Sequence, residues 1–290
     1  MSLVGPLPLP PGTRRRSVDV PGGPLAVLEH DGDGVPVVLV PGFTGSKEDF
    51  RLVLAPLAAA GRPTVAIDQR GQYESPGPDD PSAYAVEALA ADLLDLLDAL
   101  GGGPVHLVGH SFGGLVSRSA VLKRPEAVQS LTLMCSGPEA LTGPRVELLP
   151  LMASVLEQGG MPALVDAVEA LGADDPRTLA LTPQVREFLR VRMLASSPTG
   201  LLGMAAGLTG EPDRVAELRA TGVPLLVLHG AADDAWTPAV QAGMAEQLGA
   251  RYVVVPDALH SPAVENPAST AAAMNAFFAD AEADRVIPQT

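Results

Sequence analysis

A serine flanked by glycines near the middle of the chain has the residue types and spacing of a catalytic nucleophile. Residues 109–113 read Gly-His-Ser-Phe-Gly, a G-x-S-x-G pattern with Ser111 at its centre. The pattern alone is weak, because a chain with 30 glycines can contain it by chance. A serine hydroxyl is also a poor nucleophile at neutral pH unless a neighbouring base removes its proton. The pattern therefore predicts catalysis only if the fold brings a base to Ser111.

The sequence on either side of Ser111 favours the catalytic interpretation. Residues 105–108 are an apolar strand candidate, and residues 111–122 read as a helix. A serine on such a sharp turn between strand and helix has a strained backbone that projects its hydroxyl. The first turn of the helix also offers free N–H groups and a positive dipole end where an oxyanion would form. The alternative is a serine that only caps the helix.

His260 is the predicted base among the five histidines of the chain. It lies in the loop after the last strand candidate, residues 251–255, and parallel sheets place their chemistry in the loops that follow strands. His110 adjoins the serine, but we expect its side chain to point away across the turn. The other three are predicted near the first hairpin, inside a strand, and at a strand end in a core or supporting position: His30, His106 and His229.

The third group should be a carboxylate that fixes the tautomer of the imidazole and stabilises its cation. Two neighbouring aspartates, Asp233 and Asp234, follow the penultimate strand candidate. Either of them gives the chain order serine, acid, histidine, which is the order found in one well-known hydrolase architecture. Residue types and order alone leave the choice between the two aspartates open.

Strand and helix candidates alternate through most of the chain, and this alternation must position the three groups. It predicts a mostly parallel sheet of eight strands with helices on both faces, after an opening antiparallel hairpin. Unbroken apolar runs such as residues 35–40 are typical of strands buried on both faces. The strand candidates are residues 17–20, 25–29, 35–40, 64–68, 105–108, 130–135, 223–228 and 251–255.

A long helical interval interrupts the alternation. Residues 137–221 contain no good strand candidate and are far longer than a normal connection, so they are predicted to form an inserted helical cap. The α/β core is accordingly predicted over residues 17–136 and 222–290. Residues 1–16, rich in proline and glycine and ending in three arginines, are predicted to be a flexible arm.

At this level of detail the sequence resembles the α/β-hydrolase fold family. The resemblance covers nearly the whole chain and is carried by four segments: residues 40–43 (VPGF), residues 68–71 (DQRG), residues 109–113 (GHSFG), and the pair 230–238 with 260–267. It implies a catalytic triad of Ser111, His260 and an aspartate. It also implies an oxyanion hole made by the backbone N–H groups of Phe112 and Phe43. Many relatives have His-Gly where this chain has Pro41-Gly42, but a backbone donor tolerates that change.

The resemblance favours Asp233 as the acid without excluding Asp234. Family members often read Gly-x-x-Asp in this loop, which selects Asp233, and often have proline four residues after the acid, which selects Asp234. Counting from the strand end we prefer Asp233, and we expect the other aspartate to cap the next helix.

Composition limits the possible partners. The formal net charge is −15, from 19 Lys and Arg against 34 Asp and Glu, which argues against binding to nucleic acid or to an anionic membrane. The single cysteine, Cys135, excludes an intramolecular disulfide and a cysteine-based metal cluster. No secretory signal is recognised, so a cytoplasmic location is expected. We also expect no metal and no organic cofactor, because the triad needs neither, and the oligomeric state is left open.

The predicted substrate is a small-to-medium uncharged ester, because the cap candidate is rich in Leu, Met and Ala. Carbon–carbon bond hydrolases and cofactor-free perhydrolases of the haloperoxidase-like type share the triad and are the alternative enzymes. Epoxide hydrolases and haloalkane dehalogenases of this fold use aspartate at the nucleophile position, so Ser111 argues against both. A ligand-binding receptor that keeps the triad is the alternative outside the enzymes.

Overall fold

An eight-stranded sheet forms the centre of the protein. The computed structural model describes residues 7–286 of the chain, with side chains through residue 283. The strands lie in the order β1-β2-β4-β3-β5-β6-β7-β8. Their bounds are β1 Thr13–Val20, β2 Gly23–His30, β3 Val37–Val40, β4 Thr64–Ile67, β5 Val105–His110, β6 Val128–Met134, β7 Leu225–Gly230 and β8 Arg251–Val255.

The sheet has the predicted mostly parallel topology. Strands β4, β3, β5, β6, β7 and β8 run parallel, whereas β1 and β2 pair with each other, and β2 with β4, in antiparallel fashion. Every residue of β3, β4, β5, β6 and β7 is buried, which explains why these strands are largely apolar rather than alternating between polar and apolar residues. The carboxyl ends of the parallel strands therefore meet along one edge, which we call the carboxyl edge.

The predicted flexible arm over residues 1–16 is wrong for its last part. Residues from Thr13 onwards belong to β1, and Arg14 and Arg16 lie opposite Glu29 and Val27 of β2. The arginines pair with acidic neighbours, Arg14 with Asp31 and Arg16 with Glu29. The charge run thus forms the polar surface of an edge strand, a common way to protect unpaired strand edges. Residues 1–6 lie outside the described part of the chain.

Helices cover both faces of the sheet, as predicted. Their ranges are α1 Arg51–Ala59, α2 Val86–Ala99, α3 Phe112–Lys123, α4 Pro144–Leu171, α5 Pro176–Ala180, α6 Pro183–Ala195, α7 Pro198–Gly210, α8 Val215–Ala220, α9 Pro238–Leu248, α10 Pro262–Glu265 and α11 Pro267–Val286. One buried apolar cluster lies between the sheet and α2, α3, α8 and α9, and a second lies between the sheet and α1 and α11.

The interval between β6 and β7 holds the five helices α4 to α8, which we call the insert. The insert packs on the loops at the carboxyl edge. The backbone N–H of Ser197 donates to the carbonyl of Gly71 at 2.8 Å, and Arg192 Nη1 lies 2.7 Å from Asp49 Oδ1. Apolar side chains of the insert form their own small cluster, against which Phe43 of the loop after β3 packs.

Helix α4 is, within the described residues, the one helix long and apolar enough by length and composition to cross a membrane. The sequence alone predicts no apolar run that approaches the length of a membrane span. Backbone angles at Gly160 are φ 66° and ψ −167°, so the helix is two shorter segments joined at a kink. Residues 144–159 and 161–171, on either side of the kink, are each shorter than the roughly 20 residues that a bilayer-spanning helix needs.

Candidate active site

Ser111 occupies the turn between β5 and α3 in the strained conformation expected of a projected nucleophile. Its backbone angles are φ 52° and ψ −120°, in a region that residues other than glycine rarely adopt. Hydrogen bonds fix this conformation: the N–H of Ser111 donates to the carbonyl of Met134 at 2.8 Å. The carbonyl of Ser111 accepts from Gly114 N and from Ser136 Oγ, both at 2.8 Å.

The two glycines of the pentapeptide are required by close backbone approach. A Cβ at Gly113 would lie 2.4 Å from the carbonyl oxygens of Val40 and Pro41, and a Cβ at Gly109 would lie 2.4 Å from the carbonyl of Gly113. Backbone atoms cannot move aside as a flexible side chain can. The G-x-S-x-G spacing thus lets α3 start directly against β3 and β5, which is why the serine emerges at the carboxyl edge.

His260 joins the serine to the acid. Its Nε2 lies 3.0 Å from Ser111 Oγ, and its Nδ1 lies 2.8 Å from Asp233 Oδ1. With Nδ1–H donating to the carboxylate, Nε2 is free to accept the hydroxyl proton of Ser111. The structure thus brings together Ser111, His260 and Asp233, three residues that were chosen from the sequence.

Asp233 is buried and fully hydrogen-bonded as a carboxylate. Its Oδ1 also accepts from the N–H of Ala235 at 3.0 Å, and its Oδ2 accepts from Gln241 Nε2 at 2.8 Å. Burial raises the pKa of Asp233, but the bond and charge of His260, with the amides of Ala235 and Gln241, outweigh burial and lower the pKa below its usual value. Gln241, in the helix α9 that follows this loop, was not predicted from the sequence because its amide is not a titratable group.

Asp234 points elsewhere. Its side chain is 49% exposed and pairs with Arg145 of the insert. The expectation that the second aspartate caps α9 is wrong, because the cap is Thr237, whose hydroxyl accepts from the N–H of Val240. Of the two acids that the sequence left open, Asp233 is therefore the one in contact with the imidazole.

His110 lies against the site rather than pointing away from it as expected. Its Nε2–H donates to the backbone carbonyl of His260 at 2.6 Å, and the two imidazole rings are 5.0 Å apart. The difference arises because β5 continues through His110, which keeps that side chain at the carboxyl edge. Burial, and then the neighbouring His260, lower the pKa of His110 to about 4, so its ring is neutral near pH 7.

The loop after β3, where the resemblance implies one oxyanion donor, passes directly beside the serine. A Cβ at Gly42 would be 3.1 Å from Ser111 Cβ and 3.2 Å from His110 Nδ1. Phe43 follows in this loop, and Phe112 begins α3. Within residues 7–286 neither N–H has a hydrogen-bond partner in the protein, so both are free to donate to an added oxygen.

The three remaining histidines are not part of this arrangement. His106 is the second residue of β5 and stacks on Phe278 at 4.3 Å. It lies four strand residues from His110 and thus roughly 13 Å away along the strand. His229 is buried and bonded to Tyr252, as a supporting core residue would be. His30 ends the first hairpin.

One open groove lies away from the serine. It has a volume of about 660 Å³ and is lined by residues that include Asp33, Arg62, Gln129 and Glu282. Arg62 and Glu282 already pair with each other there at 2.8 Å. Because chemistry in parallel sheets belongs to the carboxyl edge, we place the candidate site at Ser111 rather than in this groove.

One group of three metal-ligand residue types is recognised in the described part of the chain: His110, Cys135 and His260, with one ligand atom of each within 4.8 Å of the others. His260 already uses both ring nitrogens, toward Asp233 and Ser111. Burial, followed by the charge of Asp233, raises the pKa of the Cys135 thiol well above its usual value. Because the imidazole of His260 is committed to the acid and the serine, these residues do not fit a resident metal ion.

This chain is similar to known proteins in both sequence and fold. A family model described as alpha/beta hydrolase fold matches residues 35–267. A solved structure of a thermophilic esterase from Thermogutta terrifontis is 26% identical, with a TM-score of 0.76, over 92% of this chain and 99% of that one. The enol-lactonase from Burkholderia xenovorans LB400 is 25% identical, with a TM-score of 0.78, over 91% of this chain and all of that one.

Among curated proteins, epoxide hydrolase A of Mycobacterium tuberculosis (strain ATCC 25618 / H37Rv) is 32% identical over 212 residues. That match covers 68% of this chain and 64% of the relative. The first curated relatives are spanned over only 37% to 64% of their own lengths. The solved structures thus match most of this chain, whereas the first curated relatives, which carry different activity names, match over only part of their lengths.

Proposed function

Because the chain belongs to the α/β-hydrolase fold family, we propose that it is a serine hydrolase that cleaves a small-to-medium uncharged ester. The observation that carries the proposal is the pair of contacts made by one imidazole, 3.0 Å to Ser111 Oγ and 2.8 Å to Asp233 Oδ1. Both distances are within hydrogen-bonding range, so proton transfer needs no rearrangement.

The reaction follows from these contacts. His260 takes the hydroxyl proton as Ser111 Oγ attacks the ester carbonyl carbon, and the resulting oxyanion accepts hydrogen bonds from the N–H groups of Phe43 and Phe112. His260 then gives the proton to the leaving alcohol as the carbon–oxygen bond breaks. Water attacks the acyl-enzyme with His260 again acting as base, which releases the acid and restores Ser111. Asp233 stabilises the imidazolium in both halves of the cycle.

The surroundings of the serine favour an uncharged acyl group. Phe43 packs against the apolar cluster of the insert formed by Leu156, Met161, Leu164 and Leu201, with Met152 and Met193 at its margin. Burying a charge against such side chains is costly, whereas an alkyl or aryl acyl chain is favoured there. We therefore propose that the insert acts as a cap over the acyl site.

Serine at the nucleophile position separates this chain from an epoxide-opening chemistry. Some relatives carry the name epoxide hydrolase, and members of this fold with that activity use aspartate at the position of Ser111. A serine ether formed by epoxide opening could not be hydrolysed by the same carbonyl chemistry. Two structural relatives are by contrast named as an esterase and an enol-lactonase, and the proposal agrees with those names.

Activity-based labelling tests the proposal. We expect a fluorophosphonate probe to modify Ser111 and p-nitrophenyl esters to be turned over, with both results lost in Ser111→Ala while the circular dichroism spectrum is unchanged. Ser119→Ala, which removes a buried hydroxyl within α3, is the matched control and should keep labelling. Labelling without turnover would favour a ligand-binding protein that retains the triad. Turnover that persists in Ser111→Ala would refute the nucleophile.

A further inference from the structure

We infer that Gln72 is a positioning residue for the oxyanion hole: its side-chain amide fixes the peptide unit between Gly42 and Phe43. The inference rests on the proposed function, because it concerns the same oxyanion. It assigns a task to a buried glutamine, in the turn after β4, that none of the triad contacts involves.

The central contact is a hydrogen bond on the other end of the donor peptide. Gln72 Nε2 donates to the carbonyl oxygen of Gly42 at 2.8 Å. That carbonyl and the N–H of Phe43 belong to one planar peptide unit and point in opposite directions. Whatever holds the Gly42 oxygen on the side of Gln72 therefore holds the Phe43 N–H on the opposite side. Rotation of the peptide would break the bond with Gln72 and turn the N–H away.

The glutamine is itself held in one orientation. Its Oε1 accepts from the backbone N–H of Gln69 at 3.1 Å, so the opposite end of the amide must present its NH₂ to Gly42. The backbone N–H of Gln72 also donates to the carbonyl of Gln69 at 2.9 Å. Gln72 is 3% exposed, so water does not compete for these bonds. Its Nε2 further lies 3.9 Å from the sulfur of Met204 in the insert.

The same turn binds the loop after β3 at two other points. Gln69 Nε2 donates to the carbonyl of Pro41 at 2.9 Å, one peptide before the donor unit. At the far end of the loop, the backbone N–H of Lys47 donates to Asp68 Oδ1 at 2.7 Å. Three residues of the 68–72 turn therefore hold the loop, and only the contact of Gln72 lies on the peptide that carries the Phe43 N–H.

A fixed donor matters because stabilisation of an oxyanion depends on donors that are oriented before the charge develops. A hydrogen bond accepted by a peptide carbonyl also polarises that peptide and strengthens its N–H as a donor. Loss of the Gln72 bond should act on the transition state far more than on substrate binding. Gly45 N also donates to the Gly42 carbonyl, at 3.0 Å, so the loop keeps one anchor when Gln72 is changed.

Two glutamine variants make a matched pair for the test. Gln72→Leu removes the donor to Gly42, and Gln69→Leu removes an equally buried donor to the preceding carbonyl. For Gln72→Leu we expect kcat to fall about 10- to 100-fold with KM changed less than about threefold, below the full loss of one oxyanion donor. Gln69→Leu should lose clearly less. The affinity of a trifluoromethyl ketone, whose hemiketal places an oxyanion in the hole, should fall in parallel with kcat/KM.

A second variant keeps the inference testable if Gln72→Leu unfolds. Gln72→Glu retains an oxygen for the N–H of Gln69 but sets a carboxylate against the Gly42 carbonyl. Its kcat relative to wild type should rise as the pH falls, because the protonated acid can donate where the amide did. Near-normal kcat in Gln72→Leu, equal losses in both leucine variants, or an unchanged ketone affinity would overturn the inference. Wild type that is neither labelled nor active would instead refute the proposed function on which the inference depends.

Discussion

The Nε2–H of His110 donates to the backbone carbonyl of His260 at 2.6 Å, so the residue before the nucleophile holds the backbone of the base. Within the described residues the His260 carbonyl accepts from no other donor. Burial and the neighbouring imidazole of His260 lower the pKa of His110 to about 4, which keeps its ring neutral. The contact connects the end of β5 with the loop after β8. The 3.0 Å contact of Ser111 with His260 joins the same two segments.

The lowered pKa of His110 predicts a pH-dependent stability. With a folded pKa of about 4 against 6.5 for the free side chain, the unfolded state takes up the proton first as the pH falls. Stability is therefore complete above about pH 6.5 and is lost progressively toward pH 4. Between pH 7 and pH 5 we expect His110 to account for a loss of about 2 kcal/mol in the free energy of unfolding, measured by urea denaturation at both pH values.

His110→Gln is the matched variant for this measurement. It cannot titrate, yet its amide can still donate toward the His260 carbonyl. The stability of His110→Gln should fall about 2 kcal/mol less than that of wild type between the same pH values. An equal fall in both proteins would mean that His110 is protonated as easily in the folded state as in the unfolded state.

The sequence predicts the strands and helices that carry the site well, because the residues that start and end these elements act locally. Strand β8 has the predicted bounds, and local residues mark the ends of the preceding helix α9: Thr237 caps its start, and Gly249 ends it with a left-handed φ of 66°. Ser111 and His260 each follow a strand that can be recognised from its apolar run. Their meeting at the carboxyl edge then follows from the parallel topology.

Residues that support the triad could not be predicted in this way. Gln72 and Gln241 have no titratable group and belong to no spacing pattern, and the partner of Gln72 lies 30 residues away in the chain. That Arg14 to Arg16 belong to β1 could not be predicted for a similar reason. These residues are charged, and they are held by pairing with β2 and its acidic residues rather than by apolar side chains of their own. Contacts of this kind become visible only when the register of the sheet is known.

Exchange of each neighbouring aspartate for asparagine should separate the triad acid from its neighbour. Asp233→Asn replaces the acceptor of His260 Nδ1–H and favours the wrong tautomer, so kcat should fall by about 10³- to 10⁴-fold. Asp234→Asn breaks only an exposed pair with Arg145, and its effect should stay within about twofold. Ester turnover by the two purified variants measures both. Equal small losses would exclude this loop from the triad.

Lys47 should be a large contributor to stability although it is remote from the substrate. Its Nζ is fully buried, 2.6 Å from Asp68 Oδ2 and 3.3 Å from Glu48 Oε1. Burial lowers the pKa of Lys47, but these carboxylates outweigh burial and raise it above its usual value. Lys47→Met would leave buried Asp68 without its cation and buried Glu48 with only Arg15 at 3.6 Å, at a cost of about 3–5 kcal/mol in the free energy of unfolding. Denaturant unfolding near neutral pH measures the loss.

The other lysine of the chain is the control for that substitution. Lys123 is exposed and donates to the carbonyl of Glu87, so Lys123→Met should change stability by about 0.5 kcal/mol or less. The deficit of Lys47→Met should also shrink at acidic pH. Without the lysine, the buried carboxylates bind protons more tightly in the folded state than in the unfolded state, so lower pH favours folding. A deficit that is small, or independent of pH, would contradict the assigned charge balance.

Gln241 offers a test of how Asp233 is kept ionised. Its Nε2 donates to Asp233 Oδ2 at 2.8 Å and to the carbonyl of Trp236 at 2.7 Å. Gln241→Leu removes one charge-assisted bond, so kcat should fall about 10-fold near pH 8. Gln241→Glu fills the same volume but brings a second negative charge to the acid, which raises the pKa of Asp233 and should lower kcat further. We thus expect kcat to decrease from wild type to Gln241→Leu to Gln241→Glu, an order that follows side-chain charge rather than side-chain volume. If the glutamate variant, nearly identical in shape to wild type, were the more active of the two, packing rather than charge would be the role of Gln241.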